Sequence, residues 1–199
     1  MTDKKFNITN EDLILLEDPD VLLRKVNIIK KIERLLENSK LELINFLNNS
    51  DFNLPEQIDL NKAKISKGES YKDLPYLVLD FPAFFSNEDI FAYRTMFWWG
   101  NFFSSTLHLQ GYFLDKYREK IIDNIDFLYN KDIYICVNNT PWQYNFEDDN
   151  YELLNNKHYN FISKCRFLKL SKKIELKEWK EIPSFSKNYF KQILSIINE

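Results

Sequence analysis

Two side chains near the middle of this chain carry chemistry into a setting that resists it. Arg94 and His108 lie within "FAYRTMFWWGNFFSSTLHLQG", residues 91–111, among large apolar residues. An arginine stays charged at any ordinary pH, and burying that charge unpaired costs several kcal/mol. A carboxylate must therefore be close. Asp80, which ends the apolar run "YLVLD", and Asp89 are the candidates. His108 titrates near neutrality when unperturbed, so it is the general acid–base group if there is catalysis, with Asp80 as ion partner or base. Hydroxyls and an amide from Tyr93, Thr106 and Gln110 complete the set. Cation, hydroxyl and imidazole together suit a carboxylate or a phosphate. The candidate ligand-binding residues are Tyr93, Arg94, Thr106, His108 and Gln110, and the catalytic candidates are His108 and Asp80.

Other chemistry is poorly supplied. The chain has three glycines, Gly68, Gly100 and Gly111, so the phosphate-cradling and dinucleotide-binding glycine loops are missing, as is a G-x-S-x-G nucleophile turn. Ser104 and Ser105 lie near His108 without such a turn. Cys136 and Cys165 each sit in an apolar run and read as small buried hydrophobes, not as a disulfide framework. With the two histidines they could supply four zinc ligands, but the spacing fits no known knuckle. "NNTPWQYNFEDDNYE" joins Trp142 and Tyr144 to Glu147, Asp148, Asp149 and Glu152, yet lacks the spacing and glycine of a calcium loop. It reads as a solvated loop. No metal and no cofactor are expected.

The formal net charge is −3, which argues against nucleic acid as a partner. Charge is nonetheless segregated. Residues 123–152 hold seven acids and one lysine, and residues 157–180 hold eight Lys or Arg and two Glu. The expectation is that the two segments neutralise each other on one surface. A basic patch for an anion is the rival, weakened because Arg166 is its one arginine and bidentate phosphate recognition favours Arg. The first twenty residues lack the apolar core of a signal peptide, and no run reaches the ~20 apolar residues of a membrane span. The expected location is cytoplasmic.

These residues need elements to position them. "NEDLILLE" predicts a short helix. Asp18 followed by Pro19 predicts a helix start, and Leu22, Val26, Ile29, Ile32 and Leu36 continue at helical spacing, then Leu43 and Leu47. Ser39 and Glu42 have capping-box spacing, so the helix breaks near Asn38 or runs on as one rod. The stripe reads as core. "NNSDFNLPEQIDLNK" is a connection, which makes residues 1–199 a single domain or divides it into a helical portion, 1–50, and an α+β core, 61–199. Strands follow at "AKIS", at "YLVLDF" covered on both faces, at 91–99 and 102–110, at "DIYICVN" and at "FISKCRFLKL"; helices fall at 113–129 and from Pro183 onward. The fold class is α+β, with a mainly antiparallel sheet and a helical N-terminal portion.

The pivotal prediction is the hairpin. Gly100-Asn101 suits a two-residue turn with Gly at positive φ. Trp99 then faces Phe102, Thr95 faces Thr106, and Tyr93 faces His108. One side of the hairpin becomes an aromatic floor carrying Tyr93, Thr106, His108 and Gln110, suited to the base of a pocket. Arg94 falls on the other, core side. A three-residue loop would instead put Arg94 with Thr106 and His108. The function this favours is binding or interaction through an aromatic-rich sheet face or groove, with an unidentified small anion or a protein as partner. The alternative is an enzyme or anion binder around Arg94 and His108. The N-terminal helices offer a further route, assembly into an oligomer.

Overall fold

The computed structural model describes residues 7–197. Its five α-helices are α1 (Asn10–Glu17), α2 (Pro19–Asn48), α3 (Tyr112–Asn124), α4 (Tyr159–Ile162) and α5 (Ile182–Leu194). Its strands are β1 (Lys64–Tyr71), β2 (Leu74–Phe85), β3 (Ile90–Trp98), β4 (Phe102–Gln110), β5 (Tyr134–Cys136), β6 (Tyr151–Leu153) and β7 (Phe167–Glu175). They form one sheet in the order β1-β2-β3-β4-β7-β5-β6, and every pairing is antiparallel. The protein is α+β with a helical N-terminal portion, as its patterning predicts.

Local signals set the helix starts. The Asp18 carboxylate accepts from the Asp20 amide at 2.9 Å, and Pro19 occupies the first turn, where a missing N–H costs nothing. Ser39 does not start a second helix. It is fully buried and its hydroxyl donates back to the Leu35 carbonyl at 3.0 Å, so α2 runs unbroken for 30 residues. The stripe meets the core from Ile29 onward; Ile29 is half-buried and Ile32, Leu36, Leu43 and Leu47 are buried, while Leu22 and Val26 are exposed.

The sheet has two unlike faces. The first carries Leu77, Leu79, Phe91, Tyr93, Phe97, Phe103, Leu107 and Leu109, and α2, α3 and α5 cover it. The segment 138–150, between β5 and β6, straps part of the second. Its principal anchor is the Tyr71 hydroxyl, which accepts from the amides of Tyr144 at 2.7 Å and Asn145 at 3.1 Å. A smaller apolar cluster of Val78, Met96 and Trp98 lies on this side.

The hairpin departs from the predicted register. Trp98 pairs with Phe102, Arg94 with Thr106 and Ala92 with His108, so the loop has three residues. The Asn101 amide donates to the Trp98 carbonyl at 3.1 Å, and Gly100 sits third in that four-residue turn with φ at 72°. That is where a type II turn requires a positive φ. Glycine satisfies the two-residue and three-residue loops equally well, so turn chemistry did not discriminate. Burial did. The observed register gathers Phe91, Tyr93, Phe97, Phe103, Leu107 and Leu109 onto one face and Arg94, Thr106 and His108 onto the other. The predicted register would have set an arginine among Phe103, Leu107 and Leu109.

β2 continues through Pro82 to Phe85. Its pairing with β3 slips between Asp80 and Ala83, as one extra residue is absorbed in a bulge. The slip returns Ala83 and Phe85 to the polar face. "FISKCRFLKL" divides: its start lies in α4 and the turn after it, and the strand begins at Phe167.

Candidate functional site

Register places a polar row straight across the second face. Lys64, Asp80, Arg94, Thr106, Ser171 and Tyr134 are successive partners on six strands. A parallel row runs Ala83, Ala92, His108, Lys169. Side chains on neighbouring strands stand about 5 Å apart, so both rows are continuous.

Arg94 is held by Asp80 in a bidentate pair, Nε to Oδ1 at 2.7 Å and Nη2 to Oδ2 at 2.8 Å. Its Nη1 donates to the Tyr144 hydroxyl, and the guanidinium carbon lies 4.9 Å from the Tyr144 ring centroid. Burial pushes the Tyr144 pKa up to about 12, so the phenol stays protonated. Three of the five guanidinium N–H groups are thereby engaged and two remain. Asp89 is not the partner; its carboxylate accepts from the Tyr112 amide at 2.8 Å at the start of α3.

Thr106 and Ser171 share a hydrogen bond of 2.7 Å, and the Ser171 hydroxyl also donates to the Ser105 carbonyl at 3.3 Å. Lys169 is 1% exposed. Its Nζ donates to the Pro141 carbonyl at 2.7 Å and the Gln143 carbonyl at 2.6 Å, and sits 4.3 Å from the Tyr144 ring centroid. Burial, with a smaller contribution from Arg94, draws its pKa down to about 7. Charged or neutral, the amine still donates both bonds. Lys169 thus pins the strap from below.

His108 lies beside the Trp142 and Phe167 rings, at 5.9 and 6.1 Å. Its Nε2 is buried with no hydrogen-bond partner. Burial, then the nearby Lys169 and Arg94 cations, draw its pKa down to about 3, so the ring is neutral. The predicted set is only partly united. Arg94, Thr106, His108 and Gln110 share one face. Tyr93 is on the other, fully buried, donating to the Ser186 carbonyl at 2.6 Å. Gln110, at the end of β4, reaches the Glu88 carbonyl at 3.3 Å.

Trp142 forms one edge of the strap. Beyond it, over β1, β2 and β3, the second face opens as a groove of about 600 Å³. Asp80 and Arg94 line it, Trp142 and Phe85 contribute aromatic surface, and Lys62 and Lys64 contribute charge. Trp142 is 52% exposed and stands between this groove and His108.

No protein family, curated protein or solved structure matches this chain. Its site must be read from its own residues.

Lys169, Ser171 and Tyr144 were not predicted as site residues. A signal for two of them existed, because Lys169 and Ser171 alternate with Leu168 and Leu170 along β7. Nothing local pointed to Tyr144, whose role depends on a strap crossing the sheet. Of the two oppositely charged segments, Lys173 lies 4.7 Å from the Phe146 ring centroid, Lys169 donates to the Pro141 carbonyl, and the His158 ring meets the Glu152 carboxylate at 3.2 Å. Among the described residues no cluster of His, Cys, Asp and Glu could hold a metal ion. Burial pushes the Cys136 and Cys165 thiols up, away from the reactive thiolate. No described helix is long and apolar enough to cross a membrane.

Proposed function

We propose that this protein binds a small, planar, anionic molecule in the groove beside Trp142, and that it acts by binding without catalysis. The observation that carries the reading is the half-exposed Trp142 indole, standing as a wall over a floor that contains an arginine with two uncommitted N–H groups. An aromatic ring stacks on indole, and a carboxylate or phosphate attached to it meets Arg94, Lys62 and Lys64. The volume falls within the ~300–1,000 Å³ usual for small-molecule sites. Binding is preferred to catalysis because acid–base groups are committed elsewhere. Asp80 gives both oxygens to Arg94, and His108 is neutral beneath Trp142.

Benzoate and adenosine 5′-monophosphate are suitable probes, with inorganic phosphate as the control that lacks a ring. At least one ring-bearing probe should raise the melting temperature saturably and quench tryptophan fluorescence, while phosphate alone does much less. Trp142→Ala should weaken that binding at least tenfold, about 1.4 kcal/mol. A flat response to both ring-bearing probes, or an affinity indifferent to Trp142→Ala, removes the reading.

A further inference from the structure

The N-terminal helices present a surface that the groove does not explain. α1 has no buried residue, although Leu13, Ile14, Leu15 and Leu16 follow one another around it. Four consecutive apolar residues cover every side of a helix, and eight residues are too few for a helix to persist in water unsupported. The first turns of α2 behave alike. Val21, Leu22, Leu23, Val26 and Ile28 are exposed, and the first buried residue of the helix is Ile32. Together with Ile8, the large apolar side chains of residues 8–28 are each 39% to 70% exposed. Single exposed apolar residues are ordinary on a monomer, whereas ten of them within residues 8–28 mark an interaction surface.

Charge along this arm identifies its occupant. Residues 11–18 carry Glu11, Asp12, Glu17 and Asp18 without a base; residues 24–31 carry Arg24, Lys25, Lys30 and Lys31 without an acid. Such an arm is complementary to itself when reversed. An antiparallel register centred on Val21 sets Glu11 against Lys31, Asp12 against Lys30 and Asp18 against Arg24, while Lys25 already pairs with Glu69 of its own chain at 2.5 Å. A parallel register sets like against like. A two-fold interface requires a surface that matches its own rotated copy, and this one does. The same register brings Ile14 of one chain opposite Ile28 of the other. Ile28 borders an apolar groove of about 370 Å³ formed with Phe97, Trp99, Leu176 and Trp179. We infer that the protein forms an antiparallel homodimer through residues 8–31, with the α1 helix of each chain seated beside that groove of the other. This is independent of the ligand reading.

Sedimentation equilibrium of the full chain across a dilution series tests it. The expected result is twice the chain mass at micromolar concentration, with dissociation on dilution. Leu15→Glu combined with Leu22→Glu should give a monomer whose sheet melts cooperatively as before, since neither residue is buried. Orientation is read by cysteine cross-linking: mixing Ile14→Cys chains with Ile28→Cys chains should give a disulfide-linked dimer that the parent chain does not form. A monomer at every concentration overturns the proposal. So does a dimer unmoved by the paired glutamates, or cross-linking confined to Ile14→Cys with itself.

Discussion

The two faces of the sheet are held by different forces. On the first, α2, α3 and α5 bury a continuous apolar layer, and its few polar groups pair locally, as Thr95 does with Ser186 at 2.8 Å. On the second, a strap with little regular structure is fastened by Arg94, Lys169 and Tyr71 over a polar row. Apolar burial is indifferent to direction and to pH. A network of charge-assisted hydrogen bonds is sensitive to both, because each group must face its partner in the right protonation state. The first face therefore supplies bulk stability. The second holds one strap conformation in place, and with it the wall of the groove.

The sharpest way to break this contrast is to hollow the first face. Phe190→Ala, beneath α2 and against Tyr93 at 4.5 Å, should cost about 3–5 kcal/mol in urea denaturation. A loss near that of a surface substitution would mean that the helical layer is not the main core.

Next comes the ion pair. Arg94→Met leaves Asp80 and the Tyr144 hydroxyl unmatched and should cost ~2–4 kcal/mol. Arg94→Met combined with Asp80→Leu should recover much of that, because an unpaired charge is more costly than an absent pair. Equal costs for the single and double variants would show that the pair does not fasten this face.

Acid should act on the second face through His108. Its pKa is about 3 in the folded protein against 6.5 unperturbed, so the unfolded chain takes up the proton first. The contribution is complete above pH 6.5 and is lost as pH falls toward 3. Relative to His108→Gln, the parent chain should lose roughly 2 kcal/mol by about pH 4.5. Parallel pH profiles for the two proteins would place the His108 ring in water. The smallest expected effect lies at the hairpin, where Gly100→Ala at φ 72° should cost about 1 kcal/mol, with no neighbouring atom to add a clash.

Much of this architecture was legible beforehand. Asp18-Pro19 marked the start of α2, and the apolar runs marked β2, β3 and β4, because capping and alternation are properties of a few adjacent residues. Asp80 and Asp89 were named as candidate partners of Arg94 because a charge among aromatics demands one, and the structure chooses Asp80. What escaped were relations between distant segments. Tyr144 reaches Arg94 from a strap 50 residues away, and Lys169 is buried because that strap crosses it. The exposed start of α2 was misread as core for a related reason: periodicity shows that a helix has an apolar side, not what lies against it.

The amino-acid order by itself did not mark α4 or β6, but it determined the long helices and the long strands, the antiparallel α+β class and the need for a carboxylate beside Arg94. Each follows from local sterics or from the cost of an unpaired charge. Tertiary structure alone decided the hairpin register, and with it which residues share a face with His108. A glycine turn accommodates two loop lengths at nearly equal cost, whereas a one-residue slip exchanges every inward and outward side chain, so the whole buried layer settles the choice.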